Sequence, residues 1–222
     1  MTAHSSAPAV LTVDAVLFDN DGTLIDSVGS VRRSWARWAQ EAGLAQERLE
    51  EVGYLGRRVH EVIGELLPEP QVAAAAERVQ QLELADAPNS RLLPGAEELL
   101  SALPRDRWAV VTAATRTLAL RRFSTLGLTV PMLVGAEDVH RGHPDPEAFL
   151  TAADRLGVEP ARCLVVEDAP AGLAAGRAAG MRTLALATSH DPVDLEADVM
   201  IADLSQVRPL VERDGSLALL IG

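Results

Sequence analysis

The chain has 222 residues, of which 48% are hydrophobic and 23% are charged, a composition typical of a globular protein. This length suits one large domain, or a core with a smaller insert, and it suffices to bury a hydrophobic core. The formal net charge of −12 argues against general affinity for nucleic acid, although it does not describe the charge of one local cleft.

The sequence also carries signals of cellular location. Its single cysteine, Cys163, lies in an apolar run, so we expect a buried structural thiol, no intrachain disulfide and a reducing cytoplasm. Residues 1–9 lack the charged start and apolar run of a signal peptide and are expected to form a disordered tail. No apolar run approaches the length that spans a bilayer. We expect a cytoplasmic monomer or weak dimer with no membrane partner.

The first predicted element is a buried strand over residues 13–18 that ends in an acidic turn. Asp19 and Asp21 follow this strand, and Gly22 and Thr23 turn the chain directly after them. Ligands of parallel α/β sheets bind at the carboxyl ends of strands, and hard cations take oxygen ligands. The two carboxylates are therefore a candidate Mg²⁺ site, and Asp19 is a candidate nucleophile. The alternative is a ligand-free acidic turn between a strand and a helix.

The next 61 residues, over 28–88, are predicted to be helical and contain no strand candidate. In the first helix Val31, Trp35 and Trp38 recur at three- and four-residue steps, and we expect both tryptophans to pack inside the segment. Further helices are predicted over 44–52, 57–67 and 71–85. The alternation of strands and helices is interrupted here, which indicates a small helical module inserted after the first strand. We call residues 28–88 the helical segment.

Strands and helices alternate again after residue 93. Strands are predicted over residues 107–112, 131–134, 162–166, 182–187 and 199–202, and helices over 96–103, 115–126, 146–156 and 171–179. Near-continuous apolar strands of this kind predict a parallel sheet covered by helices on both faces. The predicted fold class is a doubly wound α/β core, over residues 10–27 and 89–222, with a small all-helical insert. Residues 216–221 are predicted to form an edge strand.

Two later strand ends also carry polar side chains. Thr112 and Ala113 precede a helix for which Thr115 is a suitable N-cap, and a hydroxyl beside free helix N–H groups makes a candidate anion site. Glu167 and Asp168 end the strand over 162–166 and could complete the Mg²⁺ site. The alternatives are that Thr115 only caps its helix and that one acid only complements the next helix N-terminus.

Residues 18–27 resemble the first motif of the haloacid dehalogenase (HAD) superfamily, Asp-x-Asp-Gly-Thr-Leu-x-Asp-Ser. Thr112 resembles the second motif of that superfamily, and residues 167–172 with the following Ala-Ala-Gly-Met resemble the fourth. The fourth motif has the form found in the branch that includes sugar-phosphate and glycerol-phosphate phosphatases. The motifs occur in the family's order and cover nearly the whole chain. The helical segment lies where this branch carries a helical cap.

The resemblance implies a Mg²⁺-dependent phosphatase that acts on a small phosphorylated metabolite, a sugar or polyol phosphate. Asp19 would attack phosphorus and form an aspartyl-phosphate, whereas Asp21 would protonate the leaving oxygen and then activate water. Mg²⁺ would be held by Asp19, the backbone carbonyl of Asp21 and Asp168, with Glu167 as a further or water-mediated ligand.

The resemblance also implies how the substrate is held. Thr112, with the N–H groups near Asn20 and Ala113, would bind the remaining phosphate oxygens. Arg57 and Arg58 resemble the substrate loop of the cap and would meet a polar or anionic group of the substrate. The alternative is that both arginines are solvent-exposed at the start of a helix.

His143 is the main departure from the family pattern, because relatives carry a lysine at this position of the loop into the helix over 146–156. A histidine is neutral at neutral pH unless nearby carboxylates favour its charged form. Four possibilities therefore stay open for His143: it serves as a cation, it weakens catalysis, Arg141 takes its place, or it has no role. Two other functions stay open: a phosphomutase of the β-phosphoglucomutase type, and a weakly active or non-catalytic protein that binds a phosphorylated metabolite.

Overall fold

The computed structural model of the protein describes residues 9–212 and 216–222. Its strands are β1 (Ala9–Val13), β2 (Ala15–Phe18), β3 (Ile25–Asp26), β4 (Arg91–Leu92), β5 (Trp108–Val111), β6 (Leu133–Val134), β7 (Cys163–Glu167), β8 (Arg182–Leu186), β9 (Val199–Ile201), β10 (Val207–Val211) and β11 (Leu217–Ile221). Its helices are α1 (Val28–Glu41), α2 (Gln46–Val52), α3 (Val59–Leu66), α4 (Glu69–Asp86), α5 (Ala96–Ala102), α6 (Arg116–Thr125), α7 (Glu147–Leu156) and α8 (Pro170–Ala178). Short 3-10 turns lie at Ala87–Asn89, Ala136–Asp138, Pro160–Arg162, Pro192–Asp194 and Leu204–Gln206.

The centre of the molecule is a six-stranded parallel sheet in the order β6-β5-β2-β7-β8-β9. Its strands are apolar on both faces because each face is covered. On one face Phe18 and Val110 pack in a cluster with residues of α5 and α6, and on the other Leu17 and Val165 pack with residues of α7 and α8. The predicted doubly wound α/β core is confirmed.

The first strand differs from the prediction. Residues 13–18 do not form one strand, because the chain leaves one sheet at Val13 and enters another at Ala15. At the break, the backbone N–H of Asp14 donates to the carbonyl of Arg162 at 2.8 Å. The predicted tail over residues 1–9 lies outside the described residues except for Ala9, which begins β1.

The predicted edge strand near the C-terminus is instead the central strand of a second sheet. This sheet is antiparallel and has the order β1-β11-β10. Leu219 pairs with Leu11 on one side and with Pro209 on the other. The prediction was wrong because both partner strands were missed: of β1 only Val13 was predicted to be in a strand, and Pro209 lies inside β10.

Helices α1 to α4 occupy the helical segment and enclose a hydrophobic cluster of their own. Trp35, Trp38, Leu49 and Ile63 are buried in that cluster, and the rings of Trp35 and Trp38 meet edge to face at 5.7 Å. The chain enters the segment after β3 and leaves it before β4, and these two strands pair antiparallel. Within the described part of the chain, none of the helices is long and apolar enough to cross a membrane.

Candidate active site

Three adjacent strands bring the predicted site residues together. β2 lies between β5 and β7, and Phe18 pairs with Val110 on one side and Val166 on the other. Because the strands are parallel, the residues that follow them emerge at one edge of the sheet. Asp19 follows β2, Thr112 follows β5, and Asp168 follows β7.

Three buried carboxylates meet at this edge. Asp19, Glu167 and Asp168 each offer one oxygen, and these oxygens lie within 4.8 Å of one another. Burial, together with the charges of neighbouring acids, raises the pKa of Asp19 and of Glu167 well above their ordinary values and the pKa of Asp168 to about 6. Mutual repulsion in a buried all-oxygen site favours a divalent cation such as Mg²⁺, so the donor set fits this metal.

Two glycines make room for these carboxylates. A Cβ atom on Gly22 would lie 2.0 Å from Oδ2 of Asp168, and the backbone φ of Gly22 is +93°, which favours glycine. A Cβ atom on Gly172 would lie 1.7 Å from Oε1 of Glu167. The hydroxyl of Thr23 donates to Oδ1 of Asp168 at 3.1 Å. Glycine is therefore favoured at positions 22 and 172 because a side chain there would collide with the carboxylate of Asp168 or Glu167.

Glu167 is held by its own turn. One of its oxygens accepts hydrogen bonds from the backbone N–H groups of Asp168 at 2.8 Å and Ala169 at 2.7 Å. The other oxygen, Oε1, is buried and has no hydrogen-bond partner. This unpaired oxygen is a second observation that fits a metal ion beside the three acids, because an unsatisfied buried acceptor is costly.

Asp21 has surroundings that differ from those of Asp19. Its Oδ1 accepts hydrogen bonds from the Ser27 hydroxyl and from Nη1 of Arg122. Its Oδ2 accepts one from the side-chain amide of Asn20 at 3.2 Å. The backbone N–H of Asn20 instead donates to the Asp19 carboxylate. This hydrogen bond lowers the pKa of Asp19, but burial raises that pKa by more. The two aspartates therefore stand in distinct environments, as distinct chemical roles require.

Thr112 presents a free donor to the same cavity. Its Oγ1 accepts a hydrogen bond from the N–H of Ala114 at 3.1 Å, so the hydroxyl hydrogen stays available for a ligand. Thr112 and Ala113 line one cavity with Asp19, Asp21 and Asp168. Thr115 is the N-cap of α6, as predicted, since its side chain accepts from the N–H of Leu118.

His143 is buried beneath the acids rather than exposed in a loop. Its ring stacks on Phe149 with 5.0 Å between centroids, and its Nδ1 lies 3.8 Å from Oε1 of Glu167. Burial lowers the pKa of His143 to about 4. This direction is opposite to the expectation that nearby carboxylates favour a charged histidine. Arg141 does not take its place, because the Arg141 side chain is 74% exposed and pairs with Asp145.

A protein-family model described as haloacid dehalogenase-like hydrolase matches residues 13–180, which include all three strand ends of the site. The chain belongs to this family. Hexitol phosphatase A of Escherichia coli (strain K12) is 37% identical over 211 residues, which cover 90% of this chain and 96% of that protein. Validoxylamine A 7'-phosphate phosphatase of Streptomyces hygroscopicus subsp. limoneus is 38% identical over 205 residues, which cover 86% of this chain and 94% of that protein.

A solved structure, a hydrolase from Pseudomonas syringae, matches this HAD-like hydrolase with a TM-score of 0.80 at 26% identity. The match covers 87% of this chain and 94% of that chain. Together the comparisons confirm the sequence-based prediction of a HAD-superfamily hydrolase related to phosphatases of sugar and polyol phosphates.

The helical segment of this HAD-like hydrolase covers the site. The site cavity, defined by its lining residues Asp19, Asp21, Trp35, Tyr54 and Thr112 among others, has a volume of about 50 Å³. Sites for small molecules typically measure roughly 300–1,000 Å³. The cavity is therefore smaller than a typical small-molecule site. Trp35 packs inside the segment, as predicted, and its ring meets that of Tyr54; both residues also form part of the cavity wall.

The two arginines of the predicted substrate loop point in different directions. Arg57 lines the site cavity, but its guanidinium donates to the carbonyl of Val52 at 3.0 Å and pairs with Glu65. Arg58 does not line this cavity. Its Nη1 donates at 2.9 Å to the carbonyl of His140, in the core loop that leads to His143.

Sequence reasoning missed two charged residues of the cavity wall, Arg122 and Glu83. Arg122 is 0% exposed, although it follows Arg121 in a pair that resembles a solvated helix surface. The available signal was its spacing, because Arg122 lies four residues after Leu118, on the apolar side of α6. Glu83 is buried in α4, four residues after the buried Val79.

Proposed function

We propose that this protein is a Mg²⁺-dependent phosphatase that hydrolyses a small phosphorylated metabolite, a sugar or polyol phosphate, through an aspartyl-phosphate on Asp19. The observation that carries the proposal is the convergence of Asp19, Asp21, Thr112 and Asp168 on one cavity. The relatives named above add support, because their names describe phosphatases of polyhydroxylated phosphate esters.

The reaction has two steps on the chain's own residues. A carboxylate oxygen of Asp19 attacks phosphorus, the bond from phosphorus to the ester oxygen breaks, and Asp21 gives its proton to that leaving oxygen. Asp21 then removes a proton from water, whose oxygen attacks the phosphorus of the aspartyl-phosphate. Inorganic phosphate leaves and the Asp19 carboxylate is restored.

The other residues bind and orient the phosphate. Thr112 donates its free hydroxyl hydrogen to one phosphate oxygen, and the N–H groups near Asn20 and Ala113 serve the others. Asp19, Asp168, the backbone carbonyl of Asp21 and Glu167 are the residues that would hold Mg²⁺, which when bound offsets the charge of the phosphate. Ser27 and Arg122 fix the Asp21 carboxylate so that it faces the leaving oxygen.

We further propose that the helical segment acts as a cap over a core formed by residues 10–27 and 89–222. Its separate hydrophobic cluster and the paired strands at its two ends support this division. Arg57 stays a candidate for a substrate contact because it lines the site cavity, whereas Arg58 is better suited to hold the closed cap. A cytoplasmic location and a monomeric or weakly dimeric state stay predictions from the sequence.

The decisive experiment is a phosphate-release assay on a panel of sugar and polyol phosphates with Mg²⁺. We expect Asp19→Asn to lower kcat by at least about 10³-fold, because it removes the nucleophile. Asp106→Asn, in an exposed turn far from the site, is the matched control and should keep full activity. Full activity of Asp19→Asn would refute the mechanism.

The same assay separates the remaining alternatives. Isomerised sugar phosphate without free phosphate would indicate a phosphomutase, which protects the aspartyl-phosphate from water. Binding of phosphorylated sugars without turnover, in both the wild-type protein and His143→Lys, would indicate a non-catalytic binding protein.

A further inference from the structure

The guanidinium of Arg122 has donors that nothing in the described structure satisfies. One nitrogen, Nη1, donates to Asp21, whereas Nε and Nη2 are buried and have no hydrogen-bond partner. The whole side chain is 0% exposed and forms part of the site cavity. Unpaired donors of a buried charged group are costly, so this arrangement calls for an acceptor that arrives with a ligand.

Glu83 is the charged residue across the cavity from Arg122. It is buried in α4 of the helical segment, and a hydrogen bond from Trp35 supports its carboxylate. Burial raises the pKa of Glu83 to about 7, while the charge of Arg122 acts in the opposite direction. The two groups are thus near enough to interact electrostatically. Among the described residues, however, they form no ion pair, since the salt bridge of Arg122 is to Asp21.

The position of the unpaired Arg122 donors and of Glu83 indicates which part of a substrate they would meet. Asp21 delivers its proton to the leaving oxygen in the proposed mechanism, so Asp21 faces the ester oxygen rather than the other phosphate oxygens. Arg122 contacts Asp21 through one nitrogen, and Arg122 and Glu83 both line the cavity that Asp21 lines. A substrate whose ester oxygen faces Asp21 would therefore place the carbon chain that follows this oxygen near Arg122 and Glu83.

The charges of Arg122, Asp21 and Glu83 restrict which substrate group can bind to the free Arg122 donors. Arg122 already pairs with Asp21, and Glu83 lines the same cavity, so a further anion bound to Arg122 would lie near the Glu83 carboxyl, which repels it whenever Glu83 is ionised. A substrate carboxylate or second phosphate is disfavoured there, although two free guanidinium donors alone would suit either anion. A hydroxyl group both accepts from the arginine and donates to the glutamate.

We propose that Arg122 and Glu83 together bind a hydroxyl group of the substrate, and so select phosphate esters whose carbon chain is uncharged and hydroxylated near the ester. This inference rests on the proposed phosphatase function and names the residues that read its substrate. Glu83 comes from the helical segment and Arg122 from the core. The hydroxyl is therefore fully bound only when the segment is closed, which links substrate choice to closure.

The test compares matched esters. Alditol phosphates, from glycerol 1-phosphate to sorbitol 6-phosphate, are measured beside n-alkyl phosphates of the same chain length and beside phosphoglycolate, which carries a carboxylate. For the wild-type protein we expect kcat/KM for the best alditol phosphate to exceed that for its alkyl analogue by about 10- to 100-fold. Phosphoglycolate should be a poorer substrate than the alditol phosphates.

Two substitutions assign this preference to Glu83. Glu83→Met keeps the length of the side chain and removes the acceptor, so kcat/KM for the alditol phosphate should fall about 10- to 100-fold, mainly through KM. The alkyl phosphate should change little. Glu83→Gln keeps an acceptor oxygen and should recover most of the loss. Glu77→Met, exposed on the same helix, is the matched control, and thermal unfolding of each variant verifies folding.

The possible outcomes distinguish a failure of this inference from a failure of the proposed phosphatase function. Equal wild-type rates on alditol and alkyl phosphates, or a preference for phosphoglycolate, would overturn the inference and leave the phosphatase intact. An equal loss on both esters in Glu83→Met would also overturn it, because Glu83 would then be structural. Release of phosphate from no ester at all would refute the proposed function, and the inference with it.

Discussion

At the scale of single residues, the site carries its permanent positive charge in an unexpected place. His143 stands where the family resemblance predicted a lysine, but it is buried and stacked on an aromatic ring, and its Nδ1 has no hydrogen-bond partner among the described residues. Arg122 is a buried, permanently charged group on the other side of Asp21. A buried cation of this site therefore lies beside Asp21 rather than beside Glu167.

We predict that His143→Lys raises kcat/KM for phosphate esters by about tenfold, about 1.4 kcal/mol of transition-state stabilisation. A lysine ammonium beside Glu167 adds a cation that attracts phosphate, at the cost of the contact with Phe149. His143→Gln should change kcat by less than about tenfold, because a histidine that acts only by packing is replaceable by a neutral side chain. Steady-state kinetics on the best ester check both values, and complete inactivity of His143→Gln would assign His143 a chemical role.

Glu83 provides a prediction about pH and stability. Burial raises its pKa in the folded protein to about 7 from an ordinary value of 4.5. Between these two values the folded state holds a proton that the unfolded state releases, so the free energy of unfolding falls as pH rises. Glu83→Gln imitates the protonated form, and we expect it to stabilise the protein at pH 8 by up to about 3 kcal/mol.

This difference should shrink towards pH 4.5, where the folded and unfolded forms both hold the proton. Urea unfolding of the wild-type protein and Glu83→Gln at pH 5, 6, 7 and 8 measures it. Glu77→Gln, exposed on the same helix, should show no pH-dependent difference. If the difference in the free energy of unfolding between the wild-type protein and Glu83→Gln stays constant with pH, Glu83 does not titrate in this range.

The residues of the acidic turns were predictable because each follows an apolar strand directly in sequence. Arg122 and Glu83 were not, since their burial depends on the helical segment packing over α6. Nothing local distinguishes Arg122 from its exposed neighbour Arg121 except the helical spacing from Leu118. A charged residue on an apolar helix face becomes meaningful only when the opposite wall of the cavity is known.

At the scale of elements, a few polar contacts join the helical segment to the core. Arg58 donates to the carbonyl of His140 at 2.9 Å, and Glu61 accepts from the N–H of Gly142 at 3.0 Å. Gln80 donates to the Thr115 hydroxyl at 2.9 Å. Polar contacts of this kind suit the proposed cap, because they can break and re-form.

We predict that Gly142→Ala weakens this closure. A Cβ atom there would lie 2.6 Å from Cδ of Arg58 and 2.8 Å from Oε2 of Glu61, so these side chains must move and their contacts with the core weaken. KM for the best ester should rise, and backbone amides of residues 140–142 should exchange hydrogen faster. Hydrogen-exchange mass spectrometry checks this effect, with the buried strand β7 as an internal reference that should not change.

Gly64→Ala is the matched control for that substitution. A Cβ atom on Gly64 meets no atom within 4 Å, and the residue lies inside α3. Alanine there should raise the free energy of unfolding by about 0.5–1 kcal/mol and leave KM unchanged. Slower exchange at residues 140–142 in Gly142→Ala would contradict the proposed contact.

The elements that sequence reasoning identified best are those with a local signature. Strands β5, β7 and β8 are nearly continuous apolar runs, because both faces of the sheet are covered. The antiparallel sheet was not predicted, since its pairing joins Ala9 to Ile221 across almost the whole chain. The local sequence can show that a strand exists. Which strands it pairs with depends on packing against distant parts of the chain.

At the scale of the whole molecule, a cation that bound the buried acids would couple its binding to the stability of the fold. Three carboxylates lie within 4.8 Å at the carboxyl edge of the central sheet, held between β2 and β7. Without a cation their repulsion opposes the packing of two neighbouring strands. A metal that binds only the folded state therefore stabilises the entire core.

We predict that Mg²⁺ raises the unfolding temperature. At a free concentration 100 times Kd the gain is about 2.7 kcal/mol, which corresponds to roughly 5–10 °C for a chain of this size. Calorimetry with Mg²⁺, with excess EDTA and with KCl at equal ionic strength measures it. Asp168→Asn should abolish the shift, whereas Asp106→Asn should keep it. An equal shift in Asp168→Asn would locate the bound ion elsewhere.

The pairing of β1 with β11 has a consequence for how the protein is made. Residues 9–13 are synthesised more than 200 residues before the strand with which they pair, residues 217–221. Throughout that interval β1 exposes unpaired backbone groups, which are a template for pairing with other chains. The parallel sheet and the helical segment can form as the chain emerges, whereas the antiparallel sheet must wait for the last strand. A nascent chain stalled before residue 217 therefore carries an open strand edge and is the form most exposed to aggregation and to chaperones.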